Sequence, residues 1–510
     1  MIIAPPCFPN FISLFLNLNS SSLQKFIELF KQTFIYGLAT VFPRLISVIL
    51  VRIHTDKSVI SEVAEFGTLS LIFSYIILFN VVLSYGMETS FFRFYNSEKN
   101  KDDVLSTSAI SIVFTSVIFM CFFSIFKLNI SEFLEIDVKY LNIVVWILVV
   151  DVLTVIPLAY LRLKQRALKY SLVKIINICV YFFLNIFLLI FLKDLATNSS
   201  ILENIYIDNY EVAYIFIANL LASITSLLLL IPFYFNIKYR ANINLLKKML
   251  VYAFPILVSG LAFTVNETFD KILLDFLLPE SIAKTQIGMY SACYKLAIFM
   301  MLFSTAYKLA IEPFFFSEAD KKDPQKKYAL VLETFVIIGS SILVLIVVSL
   351  DLLKVIFIGD EEYWKAMYIV PIILIANFCL GIYQNLSVWY KVTDKTKFAA
   401  YISIFGAFLT LLINFLMIPS YGFFGSAIAT LVAYFSMMIL SYFIGKRYYP
   451  IPYNVNKIIF YFIISVSLSL LSFYCFRNNL QIGVLFILIM NLVIFVIEKK
   501  RIYNLFAILR

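Results

Sequence analysis

Charged side chains inside long apolar segments are the residues of this sequence that could do chemistry. The densest group lies in residues 250–278, where Glu267, Asp270 and Lys271 stand close together. A charged side chain at the centre of a bilayer costs at least about 2.5–3.5 kcal/mol, so retained charges face a cavity or a partner. Glu267 and Lys271 are i,i+4 neighbours on a helix and are expected to neutralise each other. Asp270 is then the better candidate for coupling to a proton or a cation.

Cationic side chains in other apolar segments could bind an anion. Arg44 follows Pro43 in the first segment, and the planar arginine fork binds phosphate oxygens with two hydrogen bonds. Its alternative role is an ion pair with an acid on another helix. Lys295 lies about two turns inside its segment, too deep to reach the interface easily. Lys308 is rotated by about 140° from it on a straight helix and stands four residues before Glu312, so a paired interfacial lysine is the alternative there.

Three further charged residues are weaker candidates. Arg93 is expected at one mouth of the membrane domain, where it either meets an incoming anion or anchors the helix. Asp151, in the middle of its segment, is the counterpart of Asp270 for coupling, with a structural salt bridge or hydrogen bond as the alternative. Glu88 has the same two interpretations. Some tyrosines could also stack on sugar rings: Tyr252, Tyr290, Tyr294 and Tyr383.

The composition requires a membrane around these segments. The chain has 510 residues, 62% hydrophobic and only 14% charged, where a soluble protein carries about 25% charged residues. Its apolar runs are continuous and long enough to cross about 30 Å of hydrocarbon as helices, and they do not alternate as in a β-barrel. We therefore expect an all-α polytopic membrane protein with 14 transmembrane helices. The predicted spans lie near 33–53, 67–91, 104–126, 141–160, 171–192, 212–235, 250–278, 287–316, 328–350, 366–390, 398–418, 424–445, 457–476 and 481–497.

The basic residues predict the orientation. The loops on the N-terminal side of these spans carry 27 Lys and Arg, and the opposite loops carry 9. This bias predicts that both termini are cytoplasmic. It also accounts for the net charge of +10 without nucleic acid as a partner. No predicted loop exceeds about 20 residues and no phosphate-binding glycine loop is present, so an enzyme with a soluble domain or a nucleotide hydrolase is not expected.

Cysteine and histidine predict no cofactor site. The six cysteines are scattered singly without paired spacing, which indicates packing residues rather than disulfides or metal ligands. The single histidine, His54, cannot form a metal site by itself. Neither a metal nor another cofactor is therefore expected, and any driving force would be a proton or sodium gradient. Residues 1–24 lack a basic start before their apolar stretch, which argues against a signal peptide. They are predicted to be either a disordered extension or a stretch that precedes the true start codon.

Two stretches of the chain share one plan. Residues 31–94 and 247–316 each begin with Lys and Tyr, carry a proline in their first apolar run, and end in Glu followed by Phe-Phe. Six spans separate the copies, so both cross the membrane in the same direction. Parallel repeats of this kind predict two six-helix lobes related by a pseudo-twofold axis, with a substrate path between them. The predicted divisions are an extension at 1–24, a first lobe at 25–240, a second lobe at 241–446 and two C-terminal helices with a tail at 447–510.

The same motifs resemble a known family. YGMETSFFRF at 85–94, YSACYKLA at 290–297 and AYKLAIEPFFF at 306–316 are similar to polysaccharide repeat-unit flippases of the MATE-like multidrug/oligosaccharidyl-lipid/polysaccharide (MOP) superfamily. The resemblance spans residues 25–500.

It implies alternating access that moves an undecaprenyl-pyrophosphate-linked oligosaccharide across the bacterial inner membrane for O-antigen, capsule or exopolysaccharide synthesis. Membrane lipids and the polysaccharide polymerase with its chain-length machinery are the further partners it implies. A cation-coupled multidrug antiporter, a lipid II flippase and a membrane polymerase are the alternatives.

Overall fold

The structure is a computed structural model that describes residues 37, 39–198, 200–204, 206–318, 323–477 and 479–509. The predicted extension at 1–24 lies outside the described residues. Within those ranges every regular element is a helix, which confirms the all-α prediction. The helical character follows from continuous apolar runs, because a chain in hydrocarbon must satisfy its backbone hydrogen bonds within each segment.

The first half of the chain forms long helices joined by short turns. Its helices are α1 (39–54), α2 (Val63–Ser84), α3 (Met87–Ser97), α4 (Lys101–Leu134), α5 (Val138–Leu163), α6 (Ala167–Ile186), α7 (Leu192–Ala196), α8 (Ser200–Glu203) and α9 (Glu211–Phe235). A π-turn at Phe187–Phe191 links α6 to α7. The short break at Tyr85 and Gly86 bends α2 into α3, and both residues have positive φ, which glycine adopts without strain.

The second half also consists of helices joined by short connections. Its helices are α10 (Ile243–Leu277), α11 (Glu280–Leu296), α12 (Ile298–Glu318), α13 (Pro324–Val348), α14 (Leu350–Phe357), α15 (Val370–Leu386), α16 (Val388–Val392), α17 (Lys397–Tyr421), α18 (Phe423–Tyr448), α19 (Val455–Leu470) and α20 (Leu480–Leu509). A 3₁₀ segment, Glu361–Ile369, precedes α15, and a π-turn, Leu471–Cys475, follows α19.

The helices that can cross a membrane agree closely with the predicted spans. In the described part of the chain twelve helices are long and apolar enough, and α11 with α12 make a thirteenth if the bent pair is one span. The helix α1, whose described part is short, corresponds to the remaining predicted span. The total of 14 transmembrane helices therefore stays a prediction, because the first span is only partly described.

The bend between α11 and α12 differs from the single straight span predicted at 287–316. The two helices meet at an angle of 44° around Ala297. The side-chain amide of Asn377 donates a hydrogen bond of 3.0 Å to the Ala297 carbonyl oxygen, which compensates for backbone bonding lost at the bend. Lys295 and Lys308 consequently lie on different helices, so the rotation expected from a straight helix does not apply.

The helices pack in two groups. In the first group, α9 packs on α5 and α6, α5 on α4, and α2 on α5; in the second, α18 packs on α15 and α17, and α17 on α10. The helix α19 packs on α13, which attaches the C-terminal pair to the second group. We refer to the two groups as the first and second lobes. Helices α2 and α3 of the first lobe contact α10 and α11 of the second.

The closest approach between the lobes is a crossing of two glycines, Gly67 in α2 and Gly288 in α11. A Cβ built on Gly67 would lie 1.8 Å from the Lys284 carbonyl oxygen, and one on Gly288 would lie 2.3 Å from the Val63 carbonyl oxygen. Only glycine allows two membrane helices to approach this closely. The two glycines lie in the two stretches, 31–94 and 247–316, that share one plan in the sequence. We call this contact the glycine crossing.

The two ends of the bundle are held by different contacts. At the far end, where α1 ends and α2 begins, the Gly359 amide donates to the Thr55 hydroxyl (2.7 Å). There the Lys57 ammonium also lies 3.5 Å from Asp360 and 3.3 Å from Glu362. The glycine crossing is in the same half of the bundle. At the near end, the opposite one, the Ser90 hydroxyl of α3 donates to the Met249 carbonyl oxygen of α10 (3.0 Å).

Candidate functional site

A cavity of about 540 Å³ lies between the lobes and collects most of the predicted charges. Helices α1, α2, α6 and α9 of the first lobe and α10 to α12 of the second lobe line it. Its charged lining residues are Arg44, Glu267, Lys271 and Lys295. We call it the central cavity. Since the cations outnumber the acid by two, its walls favour an anion.

Two of the cations are available for a ligand. The Arg44 guanidinium donates to the Thr305 hydroxyl (2.7 Å), and within the described part of the chain it has no ion pair. Its alternative role as one half of a salt bridge is therefore absent there, although Glu267 is its closest electrostatic partner. Lys295 lies in the last turn of α11, two residues before the bend at Ala297, and has neither a hydrogen bond nor an ion pair among the described residues. A cation in this position lacks the compensation that burial normally demands.

The acids of α10 are arranged differently from the prediction. Lys271 pairs with Asp270 (3.4 Å) rather than with Glu267. Asp270 is 5% exposed and also accepts a hydrogen bond of 2.5 Å from the Tyr290 hydroxyl. Glu267 instead lines the central cavity and accepts a hydrogen bond of 2.8 Å from the Tyr434 hydroxyl. The predicted Glu267–Lys271 pair is wrong because the Lys271 ammonium turns towards its direct neighbour.

Lys308 and Arg93 lie away from the central cavity. Glu312, the expected partner of Lys308, pairs with Lys391 at 2.7 Å, so the predicted i,i+4 pair is wrong. Lys308 is left without a hydrogen bond or ion pair in the described residues, on the near-end side of Arg44. Arg93 is exposed, with its guanidinium carbon 4.1 Å from the centre of the Tyr252 ring. This stacking resembles an anchoring contact of an interfacial side chain.

A second cavity, of about 470 Å³, lies within the first lobe. Helices α2, α3, α5, α6 and α9 line it, and Asp151 is its central acid. The Asp151 carboxylate accepts hydrogen bonds from the Ser223 hydroxyl (2.6 Å) and the Asn80 amide (3.4 Å). At the near end of this cavity, Glu88 forms an ion pair of 2.6 Å with Arg162. We call it the polar cavity. Both acids thus have the structural partners named as their alternatives.

Some of the aromatic and histidine side chains line the central cavity, and others have partners elsewhere. Of the four tyrosines proposed for sugar stacking, Tyr294 lines the central cavity. Tyr290 is fully buried against Asp270, Tyr252 lies under Arg93, and the hydroxyl of Tyr383 is 3.3 Å from that of Tyr390. His54 lines the central cavity, and its ring nitrogen lies 2.9 Å from the Asn185 side-chain oxygen. In the described residues no group of three metal-ligating side chains comes together.

Sequence reasoning missed the neutral polar residues of both cavities. Asn177 and Asn219 line both cavities, Thr305 holds Arg44, and Tyr434 holds Glu267. Single amide and hydroxyl side chains are common in apolar helices, so these residue types alone did not indicate a site. A signal was nevertheless present for the asparagines, because amide side chains are expensive in hydrocarbon unless they face a partner or a cavity.

The described helices form a bundle of two lobes with a charged cavity between them. The structure is similar to the lipid II flippase MurJ in an inward closed conformation (TM-score 0.69, 15% identity, covering 92% of this chain and 100% of that one). It is also similar to an inward-facing multidrug resistance MATE family transporter of the MOP superfamily (0.62, 12%, 80% and 94%). A MOP superfamily transporter from Pyrococcus furiosus, described as having a binding pocket of reverse polarity, is similar as well (0.54, 14%, 81% and 94%). These likenesses establish the fold.

The family is established by sequence. Residues 29–319, more than half of the chain, match the polysaccharide biosynthesis protein family, and the chain belongs to that family. No curated protein matches the sequence. The chain thus belongs to the polysaccharide biosynthesis protein family and has the fold of these transporters, which agrees with the resemblance of its motifs.

Proposed function

We propose that this chain flips undecaprenyl-pyrophosphate-linked oligosaccharide repeat units from the cytoplasmic to the outer leaflet of the bacterial inner membrane. The product would feed O-antigen, capsule or exopolysaccharide assembly, with the polymerase and its chain-length machinery as downstream partners. Family membership supports a lipid-linked sugar as the substrate. The excess of basic residues in the near-end loops supports an orientation with both termini cytoplasmic.

The observation that carries this proposal is the unpaired cationic wall of the central cavity. Arg44 is held by a neutral hydroxyl, and Lys295 has no partner among the described residues. They lie on opposite lobes, so a diphosphate between them would contact both halves of the transporter. Arg can bind phosphate oxygens in pairs, and Lys adds a mobile charge. A cationic drug, the cargo of the alternative antiporter, would be repelled by the same wall.

Glu267 is the acid best placed to couple binding to a gradient. It lines the cavity on α10, where Arg44, Lys271 and Asp270 are its charged neighbours. While ionised, it competes with the substrate for Arg44; once protonated, it leaves Arg44 to the diphosphate. The Tyr434 hydroxyl holds the carboxyl group in place. Asp270, the acid favoured by sequence reasoning, is held by Lys271 and Tyr290 instead, and in this proposal it has a supporting role.

Flipping in proteoliposomes tests the proposed substrate. A fluorescent undecaprenyl-diphosphate-linked sugar is reconstituted with the protein, and its transfer between leaflets is followed by a membrane-impermeant quencher. Lys295→Met and Arg44→Gln should each slow transfer by about 10-fold or more, since a hydrogen bond to a charged group contributes about 1.5–3 kcal/mol. Lys193→Met is the matched control, because Lys193 is an exposed lysine in α7, and this variant should transfer the lipid at the normal rate. Normal transfer by both cavity variants would exclude the cationic wall as the diphosphate site.

The coupling role of Glu267 needs a separate measurement. Glu267→Gln keeps the shape of the side chain and mimics its protonated form. Transfer by this variant should no longer respond to an imposed proton or sodium gradient, while binding of undecaprenyl diphosphate should stay or become tighter. Asp270→Asn is the comparison. If Asp270→Asn abolished the gradient response and Glu267→Gln kept it, the assignment would be reversed.

A further inference from the structure

The polar cavity of the first lobe has no role in diphosphate binding as described above. Its lining is rich in side chains that are able to form hydrogen bonds: Asn80, Asp151, Lys174, Asn177, Asn219 and Ser223. Its volume of about 470 Å³ falls in the range of small-molecule sites, which is about 300–1,000 Å³. Polar groups inside a membrane helix bundle are costly and therefore mark functional surfaces.

The polar cavity adjoins the central cavity. Asn177 of α6 and Asn219 of α9 belong to the walls of both. Its other limit, at the near end, is the Glu88–Arg162 ion pair, whose side chains are 41% and 46% exposed. Polar side chains therefore extend from the near end, past Asp151, to the wall that the polar cavity shares with the central cavity.

Several of its side chains have unused hydrogen-bonding capacity. In the described residues, Lys174 and Asn219 form no hydrogen bond, and neither is part of an ion pair. Asn177 uses its amide to donate to the Ser226 hydroxyl (3.0 Å), which leaves its carbonyl oxygen as an acceptor. Asp151 accepts two bonds, from Ser223 and Asn80, although a carboxylate has about four acceptor positions. Donors and acceptors in alternation suit the hydroxyl and amide groups of a sugar.

We propose that the polar cavity is a sugar subsite, which binds the sugar or sugars next to the diphosphate while the diphosphate lies in the central cavity. The proposal rests on the proposed function and assigns the selectivity of the transporter to the first lobe. Asp151 accepts hydrogen bonds from sugar hydroxyls, and Lys174 and the two shared asparagines donate to them. A carboxylate with amide neighbours in a restricted space discriminates between sugars, because a mismatched polar group is left unpaired.

Equilibrium binding to the full-length protein in nanodiscs, without any gradient, tests this assignment. Two probes are compared: undecaprenyl diphosphate without sugar, and the lipid-linked repeat unit extracted from cells depleted of this chain. The wild type should bind the sugar-bearing lipid more tightly. Asp151→Asn and Lys174→Gln should each reduce that difference by about fivefold, the value of one net hydrogen bond, and leave the affinity for undecaprenyl diphosphate unchanged. Unchanged diphosphate affinity also shows that the variants fold.

Lys295→Met is the contrasting variant and should weaken binding of both probes equally. If the wild type binds neither probe, the proposed function fails, and the subsite fails with it. If the wild type binds both lipids equally, or if the two polar-cavity variants keep the full preference for sugar, the subsite alone is wrong. A loss of undecaprenyl diphosphate binding in Lys174→Gln would also overturn it, by making Lys174 part of the diphosphate site.

Discussion

The glycine crossing gives the sharpest test of how the two lobes move. Gly67→Ala places a methyl group 1.8 Å from the Lys284 carbonyl oxygen, whereas carbon and oxygen atoms in such contacts are about 3.3 Å apart or more. The two helices would have to separate by about 1.5 Å at this point. Because the oxygen belongs to the backbone, no side chain can turn away to relieve the contact.

The expected size of the effect follows from the cost of overpacking. Adding a methylene-sized group to a well-packed contact costs about 1–3 kcal/mol. That cost falls on the conformation that contains the crossing, so it shifts the equilibrium away from this conformation by about 5- to 150-fold. Gly288→Ala acts on the same contact. The double variant should therefore shift the equilibrium by less than the product of the two single shifts.

Labelling of the cavity from outside measures this shift. Ser70 lines the central cavity and serves as the reporter when changed to cysteine in a background without native cysteines. A membrane-impermeant maleimide added outside should label Ser70→Cys faster when Gly67→Ala is present, and transport should slow because the far end closes less often. Gly37→Ala is the matched control, since its Cβ would meet Leu309 at an ordinary 3.5 Å. Labelling and transport that stay at wild-type values in Gly67→Ala would refute the crossing as the far-end barrier.

Three smaller perturbations follow from contacts described above or in the C-terminal pair. The carboxylates of Asp360 and Glu362 raise the pKa of the exposed Lys57, so the attraction between these groups is present at neutral pH and is lost as the pH rises through the raised pKa. Lys57→Gln should therefore speed labelling of Ser70→Cys from outside only a few-fold, and the effect should be smaller in high salt. Thr305→Val removes the hydroxyl that accepts the hydrogen bond from Arg44 and positions its guanidinium. In a binding titration this variant should bind undecaprenyl diphosphate about 2- to 10-fold more weakly, whereas an unchanged affinity would show that Arg44 needs no positioning. Lys457→Met removes the ammonium group that lies 2.7 Å from Glu333 and 2.5 Å from Glu498, two largely buried carboxylates. This change should lower stability by about 3 kcal/mol in a thermal unfolding assay, and a decrease below about 0.5 kcal/mol would contradict the expectation.

The sequence predicts the helices better than their side-chain partners. Continuous apolar runs dictate membrane helices, and the described spans match them because hydrocarbon leaves the backbone few alternatives. The bend at Ala297 was not predictable, since it depends on the amide of Asn377, which is 80 residues away in the chain. Spacing along a helix also failed to predict ion pairs. Glu312 has Lys308 one turn away but pairs with Lys391 from another helix, because tertiary packing brings a better-placed cation.

The candidate site was predictable in its charges but not in its geometry. Arg44 and Lys295 were identified from the cost of burying a charge, and both line the central cavity. Which acid faces that cavity depends on side-chain direction, and Glu267 and Asp270 exchanged their expected positions. The polar cavity could not be predicted at all, because its amides and hydroxyls come from four helices and only the folded bundle brings them together.

The glycine crossing also bears on how such a transporter could change its cargo. Its shortest contacts join main-chain atoms of the two helices, so the crossing itself depends little on side chains that a particular substrate would need to match. The groups that would distinguish one cargo from another lie elsewhere, on side chains of the first lobe. Substitutions there could alter recognition without opening a leak for ions, and substitutions at the crossing could change leakiness without altering recognition. Barrier and selectivity would thus be free to evolve separately within one chain.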